Sequence, residues 1–194
     1  MACAKNQIPY AKNQIPYAKN QIPMPPITAL LITGSMGSGK TTILSEASDL
    51  LIARNIPHAS IDVDALGTAH LPPTLQNNQL MYQNLQSVWE NYAHAGVTRL
   101  LLARAIEDRT ELEQCRNAVS GAQFVICRLT ASLKTMQHRL QTREIGTLQN
   151  TFIARVAELN SILDRAHLED FSISNENRSV TEVANEMLVR AAWL

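Results

Sequence analysis

"GSMGSGKTT", Gly34 to Thr42, is the stretch that decides how this chain is read. Its first eight residues match G-x-x-x-x-G-K-[ST] at every position. Glycines at this spacing let the backbone fold into a nest whose N–H groups point inward at phosphate oxygens. A helix that starts at Lys40 adds its positive dipole end. Gly34, Ser35, Met36, Gly37, Ser38 and Gly39 are therefore candidate backbone contacts to a nucleotide, with Lys40, Thr41 and Thr42 at the helix start. Lys40 suits the outer phosphates, and the Thr41 hydroxyl suits Mg²⁺. The flanks agree: Ile27 to Thr33 is a short apolar run, and Lys40 to Arg54 carries Ile43, Leu44, Ala47, Leu50 and Leu51 at helical spacing.

Downstream, strand-like and helical patterns alternate. Strands are predicted at His58 to Asp64, Thr98 to Ala103, Gln123 to Leu129 and around Phe171. Helices are predicted over 76–94, 110–119 and 132–143, then through Phe152 to Leu163. A last helix opens at Ser179 with the capping-box spacing Ser-x-x-Glu182. On the helix over 132–143, Leu133, Met136 and Leu140 share one face. Five strands alternating with helices give one α/β domain with a mainly parallel sheet, whose ligands sit at the carboxyl ends of the strands.

"SIDVDALG" closes the second strand and carries Asp62 and Asp64. If the strand runs through both, their carboxylates share one face at the ligand end. One is suited to Mg²⁺ through its water shell, the other to an acceptor hydroxyl. Asp also favours strand-to-loop junctions, which is the plainer reading. In "HRLQTREIG", Arg139 and Arg143 are four apart on a helix, and guanidinium groups suit the spreading charge of a transferring phosphoryl group. Gly146 is a candidate hinge beside them. The third strand ends in Ala103 and Arg104, with no aspartate. That counts against a motor ATPase, and no N-K-x-D run supports a GTPase. Arg104, Glu107 and Arg109 lie near the ligand edge.

With these motifs in this order, the chain from about Ile27 onward resembles the small P-loop kinases, such as adenylylsulfate, gluconate, shikimate and nucleoside monophosphate kinases. The resemblance implies a three-layer α/β/α P-loop NTPase fold, Mg-ATP as phosphate donor and a small-molecule acceptor. It implicates Asp64 first and Asp62 second in facing acceptor and metal. It also implies an arginine-bearing lid, with Arg139 and Arg143 as its arginines. Arg155 is a weaker candidate, and Asn175 and Arg178 fall where such folds hold adenine. The insert with Tyr82, Trp89 and Tyr92 covers the acceptor in those kinases, although spaced helical aromatics are more often core. A nucleotide-sensing module or slow ATPase is the competing reading.

The remainder of the chain sets bounds. The 194 residues carry 17 Lys and Arg against 17 Asp and Glu, scattered rather than clustered, so no nucleic-acid partner is expected. Three dispersed cysteines suit reduced thiols in a cytoplasmic protein. No apolar run is long enough for a bilayer. Residues 4–23 repeat AKNQIPY with a proline in every unit, which sets residues 1–23 apart as an unstructured tail before a domain over 24–194.

Overall fold

The computed structural model describes residues 26–72, 77–143 and 149–194. The repeat over 1–23, the hinge at Gly146 and the side chain of Arg143 lie outside the described residues and atoms. The elements run β1 Thr28–Thr33, α1 Lys40–Ala53, β2 Ala59–Asp62, a 3-10 turn at Val63–Gly67, α2 Asn77–His94, β3 Arg99–Ala103, α3 Arg109–Ala118, β4 Gln123–Thr130, α4 Leu133–Arg143, α5 Gln149–Ala166, β5 Phe171–Ser174 and α6 Val180–Arg190. The strands form one sheet in the order β2-β3-β1-β4-β5, and every pairing is parallel. The expected α/β fold with five parallel strands is present.

β1 lies in the middle of the sheet, and its alternation builds both cores. Ala29 and Leu31 enter a cluster with Leu100, Leu102, Tyr82, Leu85, Trp89 and Leu112 from the α2 and α3 side. Leu30 and Ile32 enter a second cluster with Leu101, Ile43, Leu44, Leu51, Met187 and Leu188 from the α1 and α6 side. A strand buried on both faces reads as continuous apolar sequence, as "ALLI" does. Leu30, Leu31 and Ile32 are fully buried, each contributing about 2 kcal/mol by area removed from water. A third, smaller cluster joins Met136 and Leu140 of α4 to Val156 of α5. Leu133, expected on that inner face, is instead exposed at the first turn of α4.

The chain leaves β3, passes β1 and enters β4 on its other side, so the carboxyl end of β1 lies beside a topological switch point. The Gly34–Gly39 loop emerges there. One expected boundary shifts: β2 does not run through Asp64. It stops at Asp62, whose carboxylate accepts the Asp64 backbone N–H at 3.2 Å and caps the 3-10 turn. A β strand offers no such local bond, and aspartate at the junction supplies it. Asp62 and Asp64 are therefore brought together by a turn and not by the pleat. At α6 the capping box is complete, with Ser179 and Glu182 bonded reciprocally.

Candidate active site

The loop after β1 is held open by glycine geometry. Gly37 and Gly39 have φ of 75° and 94°, and a Cβ on Gly37 would run into the Met136 backbone. Gly39 is the residue before α1, so the helix starts at Lys40 with its N-terminus facing the loop. Lys40 Nζ donates to the carbonyls of Gly34 and Ser35 at 2.9 and 3.2 Å. The Ser38 hydroxyl is buried without a hydrogen-bond partner among the described residues. The positive-φ glycines and the helix start at Lys40 give the loop the backbone turn that the glycine spacing predicts.

Three side-chain braces fix the cradle from distant segments. Ser35 Oγ donates to the Val156 carbonyl of α5 at 3.1 Å. Arg139 Nη1 donates to the Gly37 carbonyl at 3.3 Å and to Asn175 Oδ1 at 3.0 Å. Asn175 Nδ2 donates to the Ser38 carbonyl. Asn175 is buried just after β5. Arg139 and Asn175, together with Arg178, Ile43 and Val183, line a cavity of about 170 Å³ beside Gly39 and Thr42. The Glu176 carboxylate anchors the start of α4 by accepting from the Thr135 hydroxyl at 2.6 Å and from the Ser132 backbone N–H at 2.6 Å, and these bonds hold its pKa below the usual range.

On the other side of the cradle, Thr41 Oγ1 donates to Asp62 Oδ2 at 2.8 Å. The two metal-suited residues, separated by 21 positions in sequence, are thus in contact. Asp64 accepts from Arg104 Nη1 through Oδ1, and Oδ2 has no partner among the described residues. Arg104 also gives Nε–H and Nη2–H to Glu111 Oε1 at 3.0 and 2.8 Å. Glu111 in turn accepts the Tyr82 hydroxyl at 3.2 Å and the Glu107 backbone N–H at 2.9 Å. Burial alone would lower the Arg104 pKa, but Glu111 and then Asp64 outweigh it and raise it. Burial, reinforced by Glu111, pushes the Tyr82 phenol up.

Sequence reasoning set Arg104 near the site but missed Glu111 altogether. The available signal was Glu111 four residues after Glu107 and seven after Arg104 at the opening of α3, three after its cap Asp108. Arg155 is spent on Glu107, at 2.7 and 2.9 Å, and on Glu158 at 2.7 Å. Tyr82 and Trp89 are core, whereas Tyr92 is exposed. Cys115 and Cys127 are buried free thiols, both pushed up to about 12 by burial, which leaves them unreactive. No group of three or more potential metal ligands occurs among the described residues, and no described helix is long and apolar enough to cross a membrane.

Comparison with solved structures decides the class of fold. The chain superposes on the Mycobacterium tuberculosis APS kinase, solved with AMPPNP and APS, at a TM-score of 0.58 and 19% identity, covering 87% of this chain and 99% of that one. The chain has a small P-loop kinase fold. A gluconokinase from Sinorhizobium meliloti gives 0.55 and 17%, covering 86% and 92%. A shikimate kinase from Acinetobacter baumannii, in complex with shikimate, gives 0.57 and 16%, covering 86% and 94%. No family model matches the sequence, and no curated protein matches it. The fold is thus shared with these kinases while little of the sequence is.

Proposed function

We propose that this protein is an ATP-dependent phosphotransferase that moves the γ-phosphate of Mg-ATP to a hydroxyl or phosphate group of a small molecule. The observation that carries the reading is the Thr41–Asp62 hydrogen bond of 2.8 Å. It brings the start of α1 and the aspartate pair together, which supports a reading in which donor and acceptor are handled side by side.

The residues divide the work by charge. The Gly34–Gly39 backbone, Lys40 and the α1 N-terminus take the phosphates, with Thr42 beside them. The cavity bounded by Asn175 and Arg178 suits the adenine, as its walls mix Ile43 and Val183 with polar groups. Thr41 and Asp62 are the hard oxygen ligands that would hold Mg²⁺, and the ion supplies neutralisation of phosphate charge when bound. Arg139, already at the cradle, stabilises the charge that spreads over the transferring phosphoryl group. Arg143 is proposed for the same task from the end of α4.

Asp64 is proposed to receive the acceptor. Arg104 fixes its Oδ1, which leaves Oδ2 to orient a hydroxyl and take its proton. The barrier falls mainly through positioning and electrostatics, because phosphoryl transfer asks little covalent chemistry of the protein.

The test follows the phosphate. Protein, Mg²⁺, γ-labelled ATP and a pooled metabolite extract are incubated and the products separated. Label in a new compound is the expected result. Label confined to free phosphate or to ATP overturns the phosphotransfer reading. One observation favours the second reading, a nucleotide-binding module or slow ATPase: β3 ends in Ala103–Arg104, so a guanidinium stands where a carboxylate would hold metal.

A further inference from the structure

A second cavity, of about 340 Å³, opens between the start of α2 and the turn from β3 into α3. Its size falls within the range of about 300–1,000 Å³ typical of small-molecule sites. Arg104 is in its wall and also holds Asp64, so one side chain links the cavity to the carboxylate proposed to receive the acceptor. Its charged lining is predominantly acidic. Glu107, Asp108 and Glu111 line it, against the single guanidinium of Arg104.

That guanidinium is not available to an anion, since Asp64 and Glu111 divide it between them. Arg155 of α5, which reaches Glu107 of the cavity wall, is held by Glu107 and Glu158. Arg109 is exposed at the first residue of α3 and does not line the cavity. The rest of the polar wall consists of the amides of Asn78, Gln79 and Gln114 and the Thr110 hydroxyl. Amides and hydroxyls present donors and acceptors together, which is what several hydroxyl groups of one molecule require. A carboxylated, sulfated or phosphorylated ligand would meet carboxylates there. It would lose its hydration without gaining a counter-charge.

We infer that the acceptor is a polyhydroxylated small molecule carrying no negative charge, a neutral or amine-bearing sugar-like compound, bound in the cavity between α2 and α3. The inference rests on the phosphotransfer reading and adds to it the chemical class of the substrate. One acceptor hydroxyl loses its proton to Asp64, its oxygen forms the new bond to the γ-phosphorus, and the bond to the β–γ bridging oxygen breaks, releasing ADP. Glu107 and Glu111 are paired with Arg155 and Arg104, and Asp108 caps α3, so the wall keeps an acidic balance and offers an anion no uncommitted cation among the described residues.

The experiment separates a metabolite extract by charge before the reaction. Anion-exchange resin at pH 8 divides it into a flow-through of neutral and cationic compounds and a retained anionic fraction. Each fraction is then incubated with full-length protein, Mg²⁺ and γ-labelled ATP. A new labelled compound formed from the flow-through is the expected result. A labelled compound formed only from the retained fraction overturns the inference and leaves the phosphotransfer reading standing. No labelled compound from either fraction overturns both.

A variant tests the location. Gln114 is exposed on α3 and bonds to nothing that holds the fold. Gln114→Lys is expected to raise the acceptor KM about tenfold while the ATP KM and kcat stay near wild type, the signature of lost acceptor binding. Unchanged acceptor KM overturns the placement in this cavity.

Discussion

The two halves of the proposed site, one for nucleotide and one for acceptor, are built on different principles. The nucleotide half is backbone: a glycine loop, a helix end, and side chains such as Asn175 and Arg139 that grip carbonyls. The acceptor half is side chain: a chain of contacts from Tyr82 through Glu111 and Arg104 to Asp64. A backbone loop is specified by a local glycine spacing and here is braced from outside by Val156, Arg139 and Asn175. A side-chain network is assembled from whichever elements the fold brings together, and it fails when one partner is removed.

The largest effect that would test this contrast is on transfer. Asp64→Asn keeps the shape and removes the base, so the transfer rate is expected to fall by about 10³, within the range for general-base loss. ATP affinity, measured by calorimetry, should stay unchanged. Equal losses of binding and transfer would mean that the halves are not separable.

Next is Glu111→Ala. Glu111 is 8% exposed and bonds Arg104, Tyr82 and the Glu107 N–H. Removing one partner of a buried pair costs about 3 kcal/mol, to be read from urea unfolding. A loss below about 1 kcal/mol, the level of an exposed pair, would remove the network as the organiser of the acceptor half.

Gly37→Ala addresses the nucleotide half. The residue has φ of 75° and Met136 packs against it. Strain of about 2 kcal/mol is expected, weakening ATP binding about thirtyfold while leaving the Asp64–Arg104 pair intact. Normal ATP affinity in this variant would show that the cradle adapts.

The smallest effect lies at the first turn of α6, where Ser179 also borders the cavity of Arg139 and Asn175. The Ser179 backbone N–H, and then its hydroxyl, hold the Glu182 carboxyl below its ordinary 4.5. The stability from this contact is present in full above that value. It drains away as pH falls through the lowered one. Glu182→Gln should therefore flatten the acid limb of the thermal-stability profile below pH 4.5. An unchanged limb would show that the cap contributes nothing.

This contrast also governs what could be read in advance. The cradle was legible because its chemistry is a local pattern, and the strands because "ALLI" and "RLLLA" bury both faces. The cap at Ser179 was legible because both partners lie within four residues. The pairing of Arg104 with Asp64 spans 40 positions and that of Tyr82 with Glu111 spans 29, so no window of sequence contains either. β2 read too long because Val63 fits a strand as well as it fits the buried start of a 3-10 turn. Leu133 shares a helical face with Met136 and Leu140, yet it sits one turn too early to reach α5.

The braces on the cradle have a consequence for the order of folding. The hydrogen bonds from Val156, Arg139 and Asn175 to the loop cross 121, 102 and 137 positions. During synthesis the loop emerges more than a hundred residues before its supports. Contacts of such sequence separation form late, after loop closure over long stretches of chain. The braced form of the loop is thus completed late in folding. A polypeptide stopped at residue 166 would carry the whole glycine motif without the Asn175 brace.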